Sequence, residues 1–231
     1  MGSAPVTVLF DLDGTLIDSL PDVALAVDAT LLEAGLPAIG YDSVRTMVGW
    51  GALRMLEMAF DAAGGSLPAD EAPACVERYL GHYRSRPVVR TTLYPGVKDG
   101  LAALRRAGHP MGICSNKPRE MIDIVLRELD IAQYFSGITG GDDVTWRKPD
   151  GRHLTETLTR MGLPFDAKAI MVGDSQTDRG GARSAGVPFV AVTWGYDHLD
   201  DEPLSGDAVI DHFDGLGGAL ADLRAARRES D

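Results

Sequence analysis

Residues 6–15 read Val-Thr-Val-Leu-Phe-Asp-Leu-Asp-Gly-Thr, an apolar, β-branched run that stops abruptly at an acid. Such a run is typical of a strand that is buried on both faces, as in the middle of a parallel sheet. Three later runs have the same character, at residues 111–114, 169–172 and 189–192. The sequence therefore predicts four parallel strands, the first of which leads directly into Asp11 and Asp13.

Helical patterns separate these runs and cover residues 97–107, 119–129, 153–161 and 177–185. Three of the patterns end at a glycine that is followed two positions later by a proline: Gly108 with Pro110, Gly162 with Pro164, and Gly186 with Pro188. Glycine favours the left-handed conformation that closes a helix, and proline prevents the helix from continuing. Strands that alternate with helices in this way predict an α/β fold with a doubly wound parallel sheet.

Residues 19–88 interrupt the alternation, because they hold helical patterns in succession and no convincing buried strand. The patterns cover about residues 19–35, 42–63 and 69–83, and Gly49-Trp50-Gly51 breaks the second. We therefore expect a helical domain at residues 19–88, inserted into a core that is formed by residues 1–18 and 89–231.

The charge balance narrows the class of function. The 231 residues include 22 Lys and Arg against 34 Asp and Glu, a formal net charge of −12. This argues against a nucleic-acid partner, since such proteins track phosphates with clustered basic residues. No stretch approaches the roughly 18 apolar residues of a membrane span, and Cys75 and Cys114 indicate neither a disulfide framework nor a metal site. We expect a cytoplasmic protein without a membrane partner, and make no prediction of its oligomeric state.

Polar residues follow the predicted strands at their carboxyl ends, where ligands bind in an open parallel sheet. They are Asp11, Asp13, Gly14, Thr15, Ser115, Asn116, Asp174, Ser175 and Asp178, and Lys148 reaches the same edge from a separate segment. Carboxylates crowded together would repel a phosphate unless cations join them, and Mg²⁺ prefers oxygen ligands of this kind. The residues therefore predict a Mg²⁺-dependent site for a phosphate ester.

The residue types suggest a role for each group. Asp11 could attack phosphorus and become an aspartyl phosphate, while Asp13 could protonate the leaving alkoxide and later deprotonate water. Lys148 would add positive charge. We expect phosphate contacts from Gly14, Thr15, Ser115, Asn116 and Lys148, with Ser115 and Lys148 also acting in catalysis.

Four motifs resemble, in the same order, those of the haloacid-dehalogenase-superfamily phosphatases: residues 10–19, Ser115-Asn116-Lys117, Lys148-Pro149 and Gly173-Asp174-Ser175-Gln176-Thr177-Asp178. The resemblance spans nearly the whole chain. Within the superfamily it is greatest to the phosphoglycolate phosphatases of bacteria, through residues 48–52, 140–144 and 193–196. It implies a Rossmann-like core, a mobile helical cap over the active site, and Mg²⁺-dependent hydrolysis of a small phosphorylated metabolite, with 2-phosphoglycolate as the first choice.

The resemblance also implies a ligand set for the metal: the Asp11 carboxylate, the Asp13 main-chain carbonyl and the Asp174 carboxylate, supported by Asp178 and Ser175. In the cap, Trp50 stands where glycolate-type enzymes usually have asparagine between two glycines. We expect substrate contacts from Trp50, Gly51 or Arg54, with packing inside the cap as the alternative.

Four other functions stay open on the residues alone. A sugar-phosphate mutase would keep the phosphorylated aspartate and change the acceptor, whereas a pyrophosphatase or nucleotidase would change the donor. A receiver-like signalling domain would also hold acids, Mg²⁺ and a lysine at strand ends. Asp13 counts against the receiver, because an adjacent acid and base would hasten hydrolysis of a phosphoaspartate that has to persist.

Overall fold

The computed structural model describes residues 5–196 and 205–228. Within them, six strands form one parallel sheet and two short strands form an antiparallel pair. In chain order they are β1 (Thr7–Phe10), β2 (Ile17–Asp18), β3 (Thr92–Leu93), β4 (Met111–Cys114), β5 (Gly137–Thr139), β6 (Ala169–Gly173), β7 (Phe189–Val192) and β8 (Ala208–Ile210). The large sheet has the order β5-β4-β1-β6-β7-β8, and β2 pairs with β3.

The α-helices of the described residues follow the same numbering. They are α1 (Leu20–Glu33), α2 (Gly40–Arg45), α3 (Ala52–Ala62), α4 (Ala72–Ser85), α5 (Val97–Arg106), α6 (Arg119–Glu128), α7 (Arg152–Arg160), α8 (Gln176–Ala185) and α9 (Leu216–Arg228). Gly108, Gly162 and Gly186 adopt positive φ angles of 83°, 75° and 67° just beyond α5, α7 and α8. The predicted helix ends are thus confirmed, because glycine carries no Cβ to oppose this conformation.

The sheet is covered on both faces, as the apolar runs predicted. Alternate residues of β1 point to opposite sides: Val8 and Phe10 pack with α5 and α6, whereas Leu9 packs with α7 and α8. This confirms the α/β fold and the four predicted strands. The strands β5 and β8 were not predicted, since a three-residue segment at a sheet edge carries too little pattern to distinguish it from a loop.

Helices α1 to α4 enclose a second apolar cluster, which includes Val27, Leu31, Leu56 and Tyr79 and extends to Met121 of α6. The chain enters these helices through β2 and leaves them towards β3, so the paired strands hold the two connections side by side. The division at residues 18/19 and 88/89 into core and cap stays a prediction. None of the helices in residues 5–196 and 205–228 combines the length and apolarity needed to cross a lipid bilayer.

Candidate active site

The carboxyl edge of the sheet brings three segments together around β1. Strand β1 lies between β4 and β6, with Phe10 paired to Ile113 on one side and to Val172 on the other. Asp11 continues the ladder, since its backbone N–H donates to Val172 O at 3.0 Å. The residues that follow β1, β4 and β6 therefore meet at one place, as expected where neighbouring parallel strands end together.

Three buried carboxylates form the centre of this site. Oxygen atoms of Asp11, Asp174 and Asp178 all lie within 4.8 Å of one another. Lys148 Nζ lies 2.8 Å from Asp11 Oδ1 and 2.6 Å from Asp178 Oδ1. The ammonium thus pairs with two of the three carboxylates, which leaves an excess of negative charge in a buried place.

The pKa shifts reflect this imbalance. Burial raises the pKa of Asp11 to about 6, although Lys148 opposes the shift. Burial, and then the charges of Asp178 and Asp11, hold the pKa of Asp174 well above its usual range. Burial alone would lower the pKa of the Lys148 ammonium, but Asp11 and Asp178 raise it above its ordinary value. The carboxylates would ionise more readily beside a further cation.

The donor set fits a divalent metal ion. Asp11 Oδ1 pairs with the Lys148 ammonium at 2.8 Å, and no other group in the described part of the chain donates a hydrogen bond to this buried oxygen. Asp174 is aimed at the same place, because its Oδ1 accepts from Thr15 Oγ1 at 2.9 Å and its Oδ2 from the Tyr196 N–H at 2.8 Å. Hard oxygen donors of this kind suit Mg²⁺.

Two glycines let the backbone approach Asp174. Gly14 has a φ of +84°, and a Cβ placed on it would lie 2.3 Å from Asp174 Oδ2. A Cβ on Gly195 would lie 2.1 Å from Asp174 Cβ. Neither position therefore has room for a side chain unless Asp174 moves. Thr15, for which we predicted a phosphate contact, here orients Asp174 through its hydroxyl.

A family model for haloacid dehalogenase-like hydrolases matches residues 8–192. The chain belongs to this family. It is 40% identical over 207 residues to a phosphoglycolate phosphatase of Caulobacter vibrioides, with 90% of this chain and 87% of the relative covered. It is 39% identical over 227 residues to one of Mesorhizobium japonicum, with 97% and 99% covered. The motif resemblance is thus confirmed.

A solved structure supports the same assignment. The crystal structure of a predicted phosphoglycolate phosphatase from Haemophilus somnus 129pt matches this hydrolase with a TM-score of 0.85 and 30% sequence identity. The match covers 94% of this chain and 99% of the other. The similarity in fold therefore extends over nearly the whole of both chains.

Asp13 lies beside the carboxylate centre of this hydrolase and is held by two partners. Ser19 Oγ donates to Asp13 Oδ1 at 2.5 Å, and Lys117 Nζ donates to Oδ1 and Oδ2 at 3.0 and 3.1 Å. The sequence analysis gave no role to Lys117, although it belongs to the quoted Ser115-Asn116-Lys117 motif. Its distance of 104 positions from Asp13 hides the contact from any local pattern.

Ser115 and Asn116 follow β4 but are used differently. Ser115 is buried and lines a cavity of about 30 Å³ together with Asp11 and Asp13. The Asn116 side chain accepts from Lys148 N at 3.0 Å and donates to Lys148 O at 3.0 Å and to Gly49 O at 2.9 Å. Its side-chain amide therefore positions Lys148 and the loop before α3, and the phosphate contact of Asn116 stays a prediction.

Asp178 joins Lys148 to the start of α8. Its Oδ2 accepts from the Ser175 N–H at 3.0 Å, and Ser175 Oγ in turn accepts from the Asp178 N–H at 3.3 Å, so the pair forms a capping box. The other carboxylate oxygen of Asp178 binds the Lys148 ammonium. Asp178 therefore both caps α8 and holds the Lys148 ammonium at the site.

A cavity of about 150 Å³ opens between the carboxylates and the inserted helices. Trp50 lines it and Gly51 lines the smaller cavity. Arg54 lines neither one, because its side chain is exposed and donates to Glu57 Oε2 at 3.0 Å. The cationic side chain that the inserted helices place at the larger cavity is Arg45, which donates to Gly195 O at 3.0 Å. Sequence analysis missed it, since a basic residue at a helix end is ordinarily exposed.

Proposed function

We propose that this hydrolase removes phosphate from 2-phosphoglycolate in a Mg²⁺-dependent reaction that passes through a phosphorylated Asp11. The observation that carries the proposal is the position of Asp11 and Asp13 in one cavity wall, with Asp174 and Lys148 beside Asp11. The choice of substrate rests on the curated relatives, which are named phosphoglycolate phosphatase at about 40% identity over nearly the whole chain.

The residues divide the work in the following way. Asp11, at the end of β1, is the nucleophile that attacks phosphorus. Asp13 donates a proton to the leaving glycolate oxygen and then takes one from the water that hydrolyses the phosphorylated Asp11. Lys148 and Ser115 stabilise the charge on the transferring oxygens. Because Asn116 and Asp178 fix Lys148 at its backbone and its ammonium, this charge is already in place before the substrate arrives.

The metal ion would be held by the Asp11 carboxylate, the Asp13 main-chain carbonyl and the Asp174 carboxylate. When bound, it supplies positive charge that lets a dianionic phosphate approach three carboxylates. Residues 19–88 act as the cap that closes over the cavity and excludes water during departure of the leaving group. We also place the protein in the cytoplasm, on the two free buried cysteines.

Steady-state phosphate release with Mg²⁺ tests the proposal. A panel of 2-phosphoglycolate, β-glucose 1-phosphate, pyrophosphate and nucleoside monophosphates separates the phosphatase from the mutase, pyrophosphatase and nucleotidase readings. We expect kcat/KM to be highest for 2-phosphoglycolate by at least about tenfold. Asp11→Asn should lower kcat by roughly a thousandfold or more while leaving the fold intact, and the exposed Asp166→Asn should match the wild type. Near-normal turnover by Asp11→Asn would remove Asp11 as the nucleophile.

A further inference from the structure

Lys117 is a buried cation whose contacts tie the site to the inserted helices. Its Nζ lies 3.0 and 3.1 Å from the two oxygens of Asp13 and donates to the Tyr83 hydroxyl of α4 at 2.9 Å. The same ammonium lies 4.6 Å from the centre of the Tyr83 ring. Only 4% of the Lys117 side chain is exposed. The proposed mechanism assigns no role to the Lys117 ammonium.

The ion pair with Lys117 engages the Asp13 carboxylate, which is the proposed proton donor to the leaving group. A proton donor must come within about 2.6 to 3.2 Å of the atom that it protonates, but both oxygens of Asp13 face Lys117. Each oxygen keeps a second lone pair, so the ion pair does not block the carboxylate, but it restrains the movement that would bring Asp13 to the ester oxygen. Loosening it leaves a buried ammonium without a counter-ion, which is strongly unfavourable unless another anion takes the place of Asp13.

We propose that Lys117 recognises the carboxylate of the substrate by exchanging its ion pair with Asp13 for one with that carboxylate. The inference rests on the proposed function, because the carboxylate carbon of 2-phosphoglycolate is two bonds from the ester oxygen and its carboxylate oxygens are three bonds away. Standard bond lengths place those oxygens about 3 Å from the ester oxygen, and Lys117 Nζ lies 3.0 and 3.1 Å from the oxygens of Asp13. A substrate that places its ester oxygen on Asp13 thus brings its carboxylate within reach of the ammonium. Binding the correct substrate then frees Asp13 to act.

The other cations at the site are less suited to this role. The Lys148 ammonium is held by Asp11 and Asp178 on the side of the attacking group. Arg45 donates to Gly195 O, next to Asp174 and on the side of the metal ligands. Lys117 is the cation in contact with Asp13 itself, where the leaving group departs. Arg45 is the alternative ligand for the substrate carboxylate, and the experiment has to distinguish it from Lys117.

Substrate pairs that differ only in the carboxylate test the proposal. Kinetics of the wild type, Lys117→Met and the exposed-site control Lys98→Met should be compared on 2-phosphoglycolate and on 2-hydroxyethyl phosphate, which has a hydroxymethyl group instead. Lys117→Met should lower kcat/KM for 2-phosphoglycolate by roughly a hundredfold and that for 2-hydroxyethyl phosphate much less, so that the preference for the ester with a carboxylate is lost. Lys98 pairs with Asp130 on the surface, so Lys98→Met should keep the wild-type preference.

A second variant keeps the buried charges of both Lys117 and Asp13. It therefore tests the inference even if Lys117→Met fails to fold. Tyr83→Phe removes the hydroxyl that accepts from Lys117 and should raise KM for 2-phosphoglycolate several-fold, without affecting 2-hydroxyethyl phosphate. Binding of 3-phosphonopropionate, measured by calorimetry, should weaken in both variants without any turnover.

The outcomes separate this inference from the proposed function. A wild type that hydrolyses both esters equally overturns the two together. A wild type that prefers 2-phosphoglycolate, with the preference intact in folded Lys117→Met, overturns the role of Lys117 alone. If Lys117→Met loses the same factor in kcat/KM on both esters, Lys117 has a structural role only. If the preference for 2-phosphoglycolate is lost only in Arg45→Leu, Arg45 is the residue that binds the substrate carboxylate.

Discussion

His153 shows how a single neutral ring supports the catalytic lysine. The ring is buried in α7, where its Nδ1 accepts from the Lys148 N–H at 3.3 Å and its Nε2 lies 3.3 Å from Thr139 O. A neutral imidazole with its proton on Nε2 satisfies both contacts, whereas a protonated ring would point a second donor at the Lys148 N–H. Burial and the Lys148 charge accordingly lower the pKa of His153 to about 3.

This shift predicts a loss of stability in mild acid. The unfolded chain takes up a proton on this histidine near pH 6.5, whereas the folded chain resists it until about pH 3. The unfolded state therefore binds more protons between these values, and the free energy of unfolding falls as the pH falls, by up to about 1.4 kcal/mol per unit for this group. Urea unfolding at pH 6.5, 5.5 and 4.5 should give a shallower decline for His153→Gln than for the wild type. Parallel declines would contradict the assignment.

At the scale of the elements, the first turn of α1 holds the return connection from the inserted helices. Asp22 Oδ2 accepts from the N–H groups of Val89, Arg90 and Thr91 at 3.0, 2.9 and 2.8 Å, and from Thr91 Oγ1 at 2.7 Å. The carboxylate is 3% exposed. The Asp22 carboxylate therefore anchors the connection between α4 and β3 next to the start of α1.

Removing this carboxylate should loosen the junction. Asp22→Ala removes the acceptor of three N–H groups, of which that of Thr91 is buried, and should lower the free energy of unfolding by about 2 kcal/mol. Asp22→Asn keeps one acceptor oxygen and should lose about half as much. Urea denaturation measures both, and limited proteolysis at residues 86–91 should become faster in the same order. Equal stability of the alanine variant and the wild type would show that the contacts contribute nothing.

Over the whole molecule, the sheet gathers acidic groups from distant parts of the chain into one buried place. The contact between Thr15 and Asp174 spans 159 positions, and that between Lys148 and Asp178 spans 30. Folding without a metal ion therefore works against like-charge repulsion among Asp11, Asp174 and Asp178. Stability and ligand binding are coupled at this site, since an ion that binds only the folded state stabilises it.

This coupling predicts opposite effects of one substitution with and without metal. In a chelator, Asp174→Asn should melt at a higher temperature than the wild type, because one buried negative charge is gone. Saturating Mg²⁺ should raise the wild-type Tm, by the equivalent of about 2.7 kcal/mol at a hundred times Kd, and should hardly change the variant. The exposed Asp166→Asn should behave as the wild type. A Tm that is insensitive to Mg²⁺ in the wild type would argue against the metal site.

The buried strands, the glycine-closed helices and the order of the motifs could all be predicted from the sequence, because each depends on residues that are close together along the chain. The contacts of the side chains became known from the fold alone: Lys117 with Asp13, Asn116 with Lys148 and Gly49, and Asp22 with the connection at residues 89–91. Local patterns record which faces of a strand or helix are buried. They carry no record of the partner that lies across the fold, since packing between elements sets that distance.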